Sequence, residues 1–83
     1  MQVTVRLSGE LAAQAGYPRI TVTLTDSATV AELSTLLTQE YPQLSSLLDT
    51  AVPIIAGKHV TQSEPLANGQ EVAFLLPIAG GQH

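Results

Sequence analysis

Apolar and polar residues alternate strictly at the start of the chain, with Val3, Val5 and Leu7 interleaved among Gln2, Thr4, Arg6 and Ser8. A period of two with β-branched residues predicts a half-buried strand. Ile20, Val22 and Leu24 alternate with Thr21, Thr23 and Thr25 and predict a second strand of the same kind. Between them, Gly9 to Pro18 reads as a short helical turn. Gly16 suits the left-handed position after its end, and Pro18 blocks continuation. The period then lengthens: Val30, Leu33, Leu36 and Leu37 recur at helical spacing. Thr29 and Glu32 match a capping box, and the helix is expected to end near Tyr41-Pro42. Glu32 and Glu40 lie on one side of it and read as a cap and a solvated residue, not as paired catalytic acids. Pro42 opens a second short helix carrying Leu44, Leu47 and Leu48.

Pro53 to Ala56 predicts a short apolar strand that turns near Gly57-Lys58, with His59-Val60-Thr61 pairing back onto it. Asn68-Gly69 is a turn dipeptide. Glu71 to Leu76 predicts the last strand, apolar enough to be central and buried on both faces. Two antiparallel hairpins flanking one main helix make an α+β domain, with the helix over one sheet face. A first strand beside the last would place both at the sheet centre, which is the β-grasp arrangement. The expectation is a mixed sheet of four to five strands. No repeat, linker or low-complexity segment interrupts the chain.

Composition narrows what such a domain does. Eighty-three residues suffice for one small domain, and 45% are hydrophobic, enough for one core. Three cations (Arg6, Arg19, Lys58) face seven acids, for a net charge of −4. Three scattered cations cannot neutralise a run of phosphates, which disfavours nucleic acid. An anionic membrane surface is disfavoured for the same reason. Nowhere do eighteen apolar residues run together, so no membrane span is expected. Met1 to Arg6 lacks the cationic and apolar regions of a targeting signal, so a cytoplasmic location is expected.

There is no cysteine, which removes disulfides, thiolate metal sites and cysteine nucleophiles. His59 and His83 are the only histidines, too few for a metal centre or a serine-based triad. No metal, bound cofactor or autonomous catalysis is expected.

The segment Pro77 to His83 stands apart: small residues, with Gly80-Gly81 near its end. Ile78 to Gly81 reach roughly 13–14 Å when extended. Glycines lack Cβ atoms and pass through narrow channels. The chain therefore divides into a body, residues 1–77, and a tail, residues 78–83. Glu71-Val72-Ala73-Phe74-Leu75-Leu76-Pro77-Ile78-Ala79-Gly80-Gly81 resembles the closing motif of the MoaD/ThiS sulfur carriers, ubiquitin-like β-grasp proteins. Pro65-Leu66-Ala67-Asn68-Gly69-Gln70 is similar to the turn that precedes that motif. Within the family the pattern most resembles the small subunit of molybdopterin synthase.

The resemblance implies that an activating enzyme uses ATP to adenylate the carboxylate of Gly81. Sulfur transfer then yields a thiocarboxylate, which donates sulfur in molybdopterin biosynthesis. It implies partners: the activating enzyme and a larger synthase subunit or other sulfur acceptor. Phe74, Leu75, Pro77, Ile78, Ala79 and Gly80 are the expected partner-contact residues. Phe74 and Leu75 face opposite sides of a strand, and Leu75 is expected to be the exposed one. Arg6 and Lys58 read as solvated surface that could add charge complementarity. Gln82-His83 departs from the pattern, because a glycine inside a peptide bond cannot be adenylated. A metal-dependent peptidase would have to remove both residues. The alternatives are a trimmed carrier for cysteine, thiamine or another sulfur metabolite, and a ubiquitin-like modifier or adaptor.

Overall fold

The computed structural model describes residues 1–77. The chain runs β1 (Gln2–Leu7), α1 (Gly9–Ala15), β2 (Arg19–Thr23) and α2 (Val30–Glu40). A 3₁₀ turn at Pro42–Leu44 leads into α3 (Ser45–Thr50), followed by β3 (Val52–Ile55), β4 (Lys58–His59) and β5 (Glu71–Leu75). The strands form one sheet in the order β2-β1-β5-β3-β4. β1 and β5 run parallel at its centre, and the other pairings are antiparallel. This is the ubiquitin-like β-grasp fold, as the order of elements predicts.

The core follows from the alternation. Val3, Val5, Leu7, Ile20, Val22, Ile55, Val72 and Phe74 all project to one side of the sheet. There they join Leu11, Leu33, Leu37, Leu44 and Leu48 in one buried cluster. Each large apolar side chain so buried stabilises the fold by roughly 1.5–3 kcal/mol.

Local chemistry sets the helix ends. The capping box forms: Glu32 N–H donates to Thr29 Oγ1 at 3.4 Å, and Thr29 N–H donates to Glu32 Oε1 at 3.0 Å. Two further amides of the first turn would otherwise lack partners. Val30 N–H donates to Glu64 O at 3.0 Å and Ala31 N–H to Gln62 O at 2.9 Å. The loop before β5 is thereby tied to α2. At the end of α1, Gly16 has φ of 89° and its N–H donates to Ala12 O at 2.9 Å. That is the left-handed cap expected of a glycine there.

Two expectations are corrected. The β3–β4 turn falls on Ala56-Gly57, with φ of 51° and 78°, not on Gly57-Lys58. Two left-handed residues match the twist of a two-residue hairpin. Lys58 therefore pairs with Ile55 and His59 with Ile54, Val60 N–H still donates to Pro53 O of β3 at 3.1 Å, and Thr61 lies beyond the strand. Second, β5 is central but covered on one face only. Val72 and Phe74 are buried, whereas Glu71 and Leu75 are exposed and Ala73 is half-buried. The helices stack against a single side of the sheet, so an apolar strand at its centre keeps one face open.

Candidate functional site

That open face is assembled by register. Arg19 lies opposite Arg6, Arg6 opposite Ala73, Ala73 opposite Ile54, and Ile54 opposite His59. One row of side chains thus crosses the whole sheet, cationic at one end and apolar in the middle. The next row towards the end of β5 pairs Leu75 with Val52. Leu75 is 43% exposed, an unusual value for a leucine at the centre of a sheet. Val52, Ile54 and Ala73 are half-buried around it. Arg6, Ile54, Gly57, Glu71, Ala73 and Leu75 line a shallow depression of about 280 Å³.

Glu71 stands between the two arginines. Its Oε2 lies 3.9 Å from Arg6 Nε and 3.6 Å from Arg19 Nη2. All three side chains are well exposed, so each pair is worth at most about 1 kcal/mol. Their effect is on position: one carboxylate holds two guanidinium groups beside the apolar patch, leaving a positive excess on this face. Lys58 lies on the adjoining edge, in β4.

The turn before β5 sets where the strand starts. Asn68 Oδ1 accepts from Gln2 N–H at 2.8 Å, and Gly69 N–H donates to Gln2 O at 2.7 Å. Ala67 N–H donates to Gln70 Oε1 at 2.9 Å, and Leu66 is buried beneath. These bonds lock β5 alongside β1. The chain consequently leaves the sheet next to Val52 and Leu7, at the Leu75 end of the open face.

The expected contact residues divide accordingly. Phe74 is only 1% exposed and belongs to the core; a side chain already enclosed by the helices is no partner contact. Leu75 and Pro77 are exposed. Ile78, Ala79, Gly80 and Gly81 lie outside the described residues, as do Gln82 and His83. Val52, Ile54, Ala73 and Arg19 join the face without having been expected there. The alternation within Val52-Pro53-Ile54-Ile55 was a usable signal, since Pro53 and Ile55 are its buried phase. Among the described residues no three His, Cys, Asp or Glu side chains gather as a metal site. Among the same residues no helix is long and apolar enough to cross a membrane.

The model of the ThiS family matches residues 5–81. The chain belongs to the ThiS family. No curated protein matches it by sequence. Solved structures resemble this ThiS-family chain along nearly its full length. One is the small archaeal modifier protein 1 of Haloferax volcanii, 26% identical, with a TM-score of 0.84 over 93% of this chain and 98% of that one. Another is a putative molybdopterin converting factor subunit 1 from Pyrococcus furiosus, 19% identical, with a TM-score of 0.86 over 94% and 99%. A third is a complex of subunits 1 and 2 of the molybdopterin-converting factor from Helicobacter pylori. It matches at 23% identity and a TM-score of 0.72 over 98% and 100%.

Proposed function

We propose that this ThiS-family chain is a sulfur carrier that works through its C-terminal carboxyl group and supplies no catalytic side chain. The observation that carries the reading is the family match, which runs to Gly81 past a central strand whose outer face opens at Leu75. In the proposed sequence, a peptidase hydrolyses the Gly81–Gln82 bond and releases Gln82-His83. The Gly81 carboxylate attacks the α-phosphorus of ATP on an activating enzyme, displacing pyrophosphate. A sulfide-level sulfur nucleophile then attacks the acyl carbon and displaces AMP, leaving a thiocarboxylate on Gly81. The thiocarboxylate sulfur attacks a carbon of the acceptor on a larger synthase subunit and displaces that carbon's leaving group, and water then cleaves the acyl–sulfur bond, leaving sulfur on the acceptor in molybdopterin biosynthesis and returning the Gly81 carboxylate. The Helicobacter complex of two converting-factor subunits supports a partner of that kind.

The open face supplies recognition in this scheme. Leu75, Val52 and Ile54 give apolar contact, and Arg6 and Arg19 give charge. The glycines of the tail enter the partner's site because a chain without Cβ atoms needs little width. Intact-mass spectrometry of the protein from its native host is the test. The expected species ends at Gly81 and carries sulfur in place of one oxygen. A full-length, unmodified chain as the sole form, in cells running the pathway, overturns the carrier reading. The likeness to an archaeal modifier protein favours one second reading: the freed Gly81 forms an amide with a lysine of another protein. The same spectra, read on larger conjugates, separate the two.

A further inference from the structure

We infer that Leu76 is a positioning residue for the terminal glycine: packed on the core where β5 loses both neighbouring strands, it sets where the tail begins and so how far the Gly81 carboxyl reaches into an activating enzyme. The inference rests on the carrier reading. The pairing of β5 with β1 ends at Leu7 and Phe74, and its pairing with β3 ends at Val52 and Leu75. Both neighbours turn into helices at that point. Ser8 caps the start of α1, and its carbonyl accepts from Leu11 N–H at 3.2 Å. Ala51 closes α3, and its N–H donates back to Leu48 O at 3.3 Å. These two groups serve helix ends and not the ladder.

Leu76 lies one residue past β5, yet it is half-buried and packs on the core cluster. Alternation explains this: Leu76 falls in phase with Val72 and Phe74, which are buried, and out of phase with the exposed Leu75. Pro77 follows, exposed and without an N–H to resume pairing. The last hold on the chain is therefore an apolar side chain placed past the final ladder pair. Five residues, Pro77 to Gly81, follow it in a chain trimmed at Gly81. Fully extended they span roughly 16–18 Å. An activating site at the far end of that span meets the Gly81 carboxylate only if the near end stays put. Releasing Leu76 moves the start back to Leu75 and adds one residue, about 3.3–3.6 Å, of slack. Docking of the body through the Leu75 face is untouched by this. Leu76 thus acts on the rate at which the carboxylate is presented and not on partner affinity.

The test is ATP–pyrophosphate exchange in a desalted native-host extract depleted of the endogenous chain, counting only the exchange elicited by added variants that end at Gly81. Exchange reports attack of the Gly81 carboxylate on ATP. Titrating each variant gives a maximum rate and a half-saturating concentration. Deleting Ala79 shortens the reach by one residue. A displacement of about 1 Å costs about a hundredfold, so the maximum should fall at least that far with half-saturation unchanged. Adding Leu76→Ser to the deletion should recover about tenfold or more, because the released residue restores the lost reach. A merely structural residue predicts a double variant no faster than the deletion. In the intact tail Leu76→Ser should slow exchange severalfold, and Leu76→Met should not. Circular dichroism confirms that each variant stays folded, and Leu76→Ala takes the place of Leu76→Ser if the latter does not. A deletion as active as the intact tail, a double variant no faster than the deletion, or a Leu76→Ser effect confined to half-saturation each overturns the inference alone. No exchange with the unsubstituted chain overturns the carrier reading and the inference with it.

Discussion

Phe74 and Leu75 are neighbours in β5 with opposite duties, and truncating each to alanine separates them. Phe74 is 1% exposed and sits among the core leucines and valines. Phe74→Ala removes most of a buried ring and leaves a cavity, a change that costs about 3–5 kcal/mol. A domain of 83 residues has a total stability of roughly 4–12 kcal/mol at 0.05–0.15 kcal/mol per residue. This one change therefore removes a large share of it. At about 4–8 °C per kcal/mol for a domain of this size, the melting temperature falls by at least about 12 °C. Leu75 is 43% exposed, so just over half of its surface is covered. Leu75→Ala should cost about 1 kcal/mol, scaled from roughly 1.5–3 for a fully buried leucine. Urea unfolding followed by circular dichroism measures both. Equal losses for the two variants, or a Phe74→Ala loss no larger than that of Leu75→Ala, would refute the division of faces. Either result would mean that β5 sits one residue out of register, which exchanges its faces.

Leu75→Glu should reduce binding to the activating enzyme, measured by isothermal titration, while the far-ultraviolet spectrum stays native; loss of the fold would place Leu75 in the core. Thr29→Ala removes the acceptor for Glu32 N–H and should cost about 1 kcal/mol in urea unfolding. A change below a few tenths would show that the bonds from the loop before β5 hold the helix end without the cap. Glu71→Gln should alter stability by less than about 1 kcal/mol, because both of its arginine partners are solvated. A salt-independent loss well above that would identify the cluster as part of what holds β1, β2 and β5 together.

Much of this architecture was legible in residue patterns. Alternation marked β1 and β2, and the Thr29–Glu32 pair marked the start of α2. Gly16 marked the end of α1. These features act within a few residues of one another, so sequence neighbours carry the information. The β3–β4 hairpin was placed one residue late because Ala56 takes a left-handed conformation that alanine rarely adopts. Nothing in its identity announced that; the pairing of Ile55 with Lys58 leaves a two-residue loop, which demands it. The open face was harder still. Arg6, Arg19 and Glu71 meet only through two strand pairings, one of them parallel and spanning most of the chain.

The sequence by itself determined the period of each element, its caps, and the fact that Phe74 and Leu75 point to opposite sides. It also carried the Gly80-Gly81 signature of the family. It pointed to Leu75 as the exposed one of the two, and only the tertiary structure decided that the sheet face around Leu75 stays open. Val72 to Leu76 is apolar at every position, so its composition reads as buried on both faces. Burial depends on how many layers the rest of the chain supplies. The helices here pack against one side of the sheet, and Leu75, Ile54 and Val52 remain on the other as a surface beside the strand that leads to Gly81.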